Sequence, residues 1–148
     1  MKLKWERGTP WLYGDDGLKI AVTNYVRVRN KENPEEVVMS IPGRVPYMPL
    51  GFPAGVWKVG KPIAKTNPYL APYFIPTDAW QMVTEWTLEP DGSYGEPTAK
   101  KVRDEGYGIH FSTSSTTLGC LKVVNKSDLL ILAKMIAEAK EPVILEVT

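Results

Sequence analysis

The chain carries one cysteine and one histidine in 148 residues, and that scarcity removes whole classes of chemistry. A lone cysteine excludes an intramolecular disulfide and any zinc site built on several thiolates. With a single histidine, a metal would have to rest on carboxylates, and none are grouped for it; no metal or other cofactor is expected. Neither sign of charge is in excess. Eighteen Lys and Arg against seventeen Asp and Glu leave a net +1, without the basic surplus typical of a nucleic-acid binder. No apolar run approaches the roughly 18 residues of a membrane-spanning helix. The opening Met1-Lys2-Leu3-Lys4-Trp5-Glu6-Arg7-Gly8 has no apolar stretch of leader-peptide length. The expectation is therefore a soluble product made in the cytoplasm, with any later release by a route the sequence does not encode.

What is present suits one domain spanning residues 1–148, within the usual span of roughly 100–200 residues. A chain of this size buries about 68–70% of its unfolded surface and holds a core without staples. Leu18-Lys19-Ile20-Ala21-Val22-Thr23 and Tyr25-Val26-Arg27-Val28-Arg29 alternate apolar and polar residues, the period of half-buried strands. Asn30 to Glu36, with Pro34, is turn material, and Val37-Val38-Met39-Ser40-Ile41 predicts a third strand stopped by Pro42-Gly43. Prolines concentrate between Pro34 and Pro97 and argue against long helices there. One helix is predicted, with Ser127 as N-cap, Asp128 in the first turn, and Leu129, Leu130, Leu132, Ala133, Ile136 and Ala137 at helical spacing. Lys140 lies near its end and Pro142 prevents continuation; Val143 to Val147 then predicts a closing strand. The fold expected is mostly β, a mixed sheet or β-sandwich with one main α-helix near the C-terminus.

The segment Gly60 to Glu105 differs in character. Tyr69, Tyr73, Phe74, Trp80, Trp86 and Tyr94 recur there between prolines. Lid or insert loops walling a cleft would look like this, and so would a satellite core beneath long loops.

The two scarce residues lie only ten positions apart, joined by a Ser/Thr-rich stretch. His110 ends Gly106-Tyr107-Gly108-Ile109-His110, and Cys120 follows Thr116-Thr117-Leu118-Gly119. A thiol with a pKa of about 8.5 is mostly protonated at neutral pH and needs a base, the part an imidazole is suited to play. Gly119 permits a tight turn before the thiol, which would let the amides around Gly119 and Cys120 face a developing oxyanion. Gly106 and Gly108 would let another backbone or a substrate come close to the histidine strand. The bland alternatives are a buried, inert cysteine, a hydrogen-bonded structural histidine and a solvated Lys122.

Three ordered segments resemble the L,D-transpeptidase catalytic domain, a family of bacterial cell-wall enzymes. Pro53-Ala54-Gly55-Val56-Trp57-Lys58-Val59 is similar to the family's proline–glycine–aromatic approach to a strand. Tyr107-Gly108-Ile109-His110 resembles the strand that delivers its catalytic histidine, and Thr117-Leu118-Gly119-Cys120-Leu121-Lys122 resembles its nucleophile signature. The likeness covers roughly residues 15–148 and is strongest after Gly106. Two features depart from the pattern: Leu118 stands where the family usually has a second histidine, and the stretch from His110 to Cys120 is shorter than usual.

The resemblance implies Cys120 as nucleophile and His110 as its base. It implies an oxyanion or substrate-binding set of Gly119, Thr117, Lys122 and Phe111, with the Phe111 carbonyl orienting the histidine ring. The implied partner is a peptidoglycan stem peptide, attacked at the bond to its terminal D-alanine, with an amine or water resolving the thioester. A hydrolase that degrades cell wall, for a phage or as a toxin, fits the same residues. So does an inactive wall-binding or virion module on the same fold, the alternative that Leu118 keeps open.

Overall fold

A computed structural model of the chain describes residues 1–24, 28–29, 36–37, 51–88, 94–112 and 119–148. Its strands are β1 (Lys2–Trp5), β2 (Trp11–Tyr13), β3 (Lys19–Thr23), β4 (Val28–Arg29), β5 (Glu36–Val37), β6 (Gly55–Val59) and β7 (Ile63–Ala64). There follow β8 (Tyr73–Pro76), β9 (Trp80–Leu88), β10 (Tyr94–Glu105), β11 (Gly108–Phe111), β12 (Leu121–Val123), helix α1 (Lys126–Glu138) and β13 (Val143–Val147). Nine strands form one mixed sheet in the order β6-β13-β1-β2-β3-β12-β11-β8-β7. Within it β1 runs parallel to β13 and β11 parallel to β12, while the other pairs are antiparallel. The mostly β architecture with one helix near the C-terminus is the one expected.

Alternation explains how the sheet acquires one apolar face, because side chains on a strand point to opposite faces with period two. Register places Leu3 opposite Leu145, Trp5 opposite Val147 and Leu12, Leu12 opposite Ile20, Val22 opposite Val123, and Ile109 opposite Leu121 and Ile75. All of these are buried in one cluster. Helix α1 packs near β8, β11 and β12 and buries Leu129, Leu132, Ala133 and Ile136, a 3–4 spacing that forms one stripe. Each of the Leu and Ile side chains contributes about 1.5–3 kcal/mol when fully buried. The opposite face carries a row in register across four strands: the polar Thr23, Lys122 and His110, then Phe74.

Two local expectations are corrected. The helix is capped by Asn125 rather than Ser127, which sits in its first turn. The Asn125 side chain makes no capping bond; the helix starts there because its carbonyl accepts from the Leu129 amide at 3.2 Å. The helix also stops before Lys140, and its last carbonyls are met from afar: Lys61 Nζ donates to Ile136 O and Ala139 O, both at 2.9 Å. Leu130 is 44% exposed and outside the buried stripe.

Residues 60–105, expected as lid or insert loops, contain β7 and β8 of the main sheet and the two-stranded ribbon β9–β10. Pro97 sits inside β10 between two register shifts, as a ribbon with open edges tolerates. Of the strands expected at 25–29 and 37–41, residues 28–29 and 37 are in strand; 25–27 and 38–41 lie outside the described residues.

Candidate active site

His110 lies on β11, and Cys120 immediately precedes β12. Those strands are neighbours, with Ile109 level with Leu121 and His110 level with Lys122. Cys120 is thus about level with Gly108, two residues from His110 along the next strand. Parallel-sheet spacings of ~3.3 Å per residue and ~4.8 Å between strands put the two Cα atoms about 8 Å apart. The pairing of adjacent strands, rather than their nearness in sequence, is what sets that spacing.

The histidine is 7% exposed and well held. Its Nδ1 lies 3.1 Å from the Phe111 carbonyl. A carbonyl only accepts, so Nδ1 carries the proton in that bond and a neutral ring leaves Nε2 with its lone pair. Burial lowers the His110 pKa below its ordinary 6.5; the Phe111 carbonyl opposes that shift and the Lys122 ammonium adds to it. The ring is accordingly neutral at pH 7. Phe74, an aromatic of the 60–105 segment, stands beside it, ring centroids 6.3 Å apart. The same Phe74 ring and the Ile75 carbonyl occupy the space a Cβ on Gly108 would need, with the carbonyl only 2.6 Å away. Gly108 therefore serves the close approach of β8 to the histidine strand.

The cysteine is half-buried at the foot of the same pair of strands. Its Sγ lies 3.9 Å from the Gly106 carbonyl. Burial pushes the thiol up to about 11 from an ordinary 9.0; the Gly108 backbone draws it down and the Asp104 carboxylate adds to the rise. Burial thus favours the neutral form of both the thiol and the imidazole. Gly119 has φ +123°, a conformation L side chains rarely adopt, and forms the bend that turns the chain into Cys120. Lys122 is 2% exposed, so it is not a solvated strand residue, and burial lowers its pKa. Phe111 is partly buried against the core. The geometry thus brings Cys120, His110, Gly119, Lys122 and Phe111 to two adjacent strands. Thr117 and Leu118 lie outside the described residues. Among the described residues, no cluster of three or more His, Cys, Asp or Glu is arranged to hold a metal.

Around the site runs a hydrogen-bonded chain that sequence patterns did not disclose. Asn24 Nδ2 donates to Gly119 O at 2.7 Å and Cys120 O at 2.8 Å, and its Oδ1 accepts from Phe52 N at 2.8 Å. Gln81 Nε2 donates to Gly51 O at 2.8 Å and to the Tyr107 hydroxyl at 2.7 Å, which donates to Asp104 Oδ2 at 2.5 Å. On the far side of Asn24 opens a cleft of about 430 Å³, bordered by Trp5, Arg7, Pro10, Thr23 and Gly51 as well as Asn24.

No family model matches the chain, and no curated protein matches it. Among solved structures, it shares a fold with the helical cell shape determining protein Pgp2 of Campylobacter jejuni. The TM-score is 0.53 at 15% identity, and the match covers 99% of this chain. The chain spans 46% of the length of that structure.

Proposed function

We propose that this domain is a peptidoglycan-directed cysteine acyltransferase of the L,D-transpeptidase kind. The observation that carries the proposal is the placement of a neutral His110, tied through Nδ1 to the Phe111 carbonyl, on the strand beside Cys120. A fold shared with a helical cell shape determining protein supports the wall as the place of action, since bacterial shape is held by peptidoglycan.

In this scheme Sγ attacks the carbonyl carbon of the amide between the third stem residue and terminal D-alanine as its proton passes to His110 Nε2. A tetrahedral oxyanion forms, faced by amides around Gly119 and Cys120. Collapse breaks the C–N bond, and the imidazolium gives its proton to the departing D-alanine amine. A thioester on Cys120 remains. An incoming stem amine yields a cross-link, and water yields a shortened stem. Because thiol and imidazole both rest neutral, deprotonation accompanies attack rather than preceding it. Lys122 adds a fixed positive charge beside the site, a point charge without the bidentate fork of an arginine.

Incubating the protein with muropeptides and following products by mass spectrometry tests this. Loss of D-alanine or appearance of a cross-link is expected, together with a covalent carbapenem adduct on Cys120, and Cys120→Ala should abolish both. Unchanged processing by that variant refutes the assignment. Which product forms separates cross-linking enzyme from hydrolase. An inactive wall-binding module is the second reading, favoured by the raised thiol pKa, since inert buried thiols share that property.

A further inference from the structure

We infer that Asn24 is a positioning residue for the nucleophile turn, aiming the Cys120 backbone and thereby its sulfur. The inference rests on the proposed acyl transfer for its catalytic meaning, though not for its geometry. In a regular strand, successive carbonyls point to opposite sides. Here the carbonyls of Gly119 and Cys120 converge on one nitrogen, Asn24 Nδ2, at 2.7 and 2.8 Å. Each of the two Nδ2 hydrogens has one carbonyl to serve, and the orientation of the amide is fixed by the Phe52 N–H on its Oδ1.

A trans peptide holds its C=O and N–H in opposite directions. Drawing the Gly119 carbonyl toward Asn24 therefore turns the Cys120 N–H the other way, away from β3 and its flank. In the proposed acyl transfer that amide is assigned to the oxyanion developing on the carbonyl attacked by Sγ. The conformation needs Gly119 at φ +123°, and a single side chain from 95 positions upstream holds it there. Asn24 is itself wedged in place: a Cβ on Gly51 would lie 2.8 Å from its Oδ1, and the Gly51 carbonyl is fixed by Gln81. Asn24 thus links the nucleophile turn to the segment leading into β6.

Asn24→Asp is the discriminating variant, because it keeps an acceptor for Phe52 N–H while replacing the donor to the two carbonyls with a carboxylate oxygen that repels them. Misplacing reacting atoms by about an ångström costs roughly a hundredfold in rate. The expected result with intact protein is a maximal rate of Cys120 acylation by a carbapenem lower by about that factor, with half-saturation changed less than about threefold. Asn24→Ala and Asn24→Ser should fall in the same direction. A lowered melting temperature with an unchanged maximal acylation rate would overturn the inference. A wild-type protein that forms no adduct sinks the enzymatic proposal instead. The position of the sulfur is then read by the pH dependence of iodoacetamide labelling of Cys120. Its inflection should move by more than about half a unit in Asn24→Ala, on a scale where a full unit is ~1.4 kcal/mol. An unmoved inflection overturns the inference independently.

Discussion

The titration of Cys120 is the sharpest consequence of where the fold puts its sulfur. Burial and the Asp104 carboxylate lift the thiol from 9.0 to about 11, two units against the pull of the Gly108 backbone. At pH 7 that leaves on the order of one thiolate in ten thousand, against about one in a hundred for a thiol at 9.0, and the thiolate alone is the nucleophile. Alkylation by iodoacetamide, followed by intact mass between pH 6 and 11.5, should therefore run about a hundredfold below a solvated thiol at pH 7. The rate should climb tenfold per pH unit past 9 and level off only near 11. The sign carries into stability as well. A raised pKa gives stability that is fully present below the unfolded value of 9.0 and lost as pH rises through about 11. Two units correspond to at most about 2–3 kcal/mol, and Cys120→Ala should lack that alkaline loss. Fast labelling at neutral pH with an inflection at or below 9 would refute the account and place the sulfur in a solvated or cation-stabilised setting.

Two further outcomes follow from neighbouring residues. Gly108→Ala pushes a methyl into the Ile75 carbonyl and the Phe74 ring, and should cost about 1–3 kcal/mol in urea unfolding while displacing the histidine strand; a neutral substitution there would disprove the tight β8–β11 approach. His110, held below 6.5 by burial, binds its proton more weakly folded than unfolded. Stability should therefore fall as pH drops below 6.5, and calorimetry should find the loss reduced in His110→Gln.

Much of this was legible from local pattern. Alternation announced β3 and β13, and the 3–4 spacing of Leu129, Leu132, Ala133 and Ile136 announced α1, because burial on one face imposes those periods. Ser127 was mistaken for the cap because side-chain capping favours Ser, whereas the helix starts at the Asn125 carbonyl with no side-chain cap. β7 and β8 were hidden, since two- and four-residue strands among prolines have no room to alternate. His110 and Cys120 drew notice by rarity and by their flanking glycines. Asn24 did not: a polar residue following a strand has no local signature. Its role exists only because β3 lies beside β12, a pairing across a hundred residues. Lys122 drew notice only through the family resemblance, and its burial was not legible in a strand position that could equally have been solvated.

The parallel pairing of β1 with β13 has a consequence for how the molecule assembles. β13 fills the place between β1 and β6, so its seam with β1 joins residues such as Leu3 and Leu145. A chain emerging from the ribosome through α1 would still present two raw edges awaiting the same missing ribbon. Such long-range closure slows folding and makes it all-or-none. Unzipping β13 should part β6 from β1, so a hydrogen-exchange map would show β1, β6 and β13 opening as one unit.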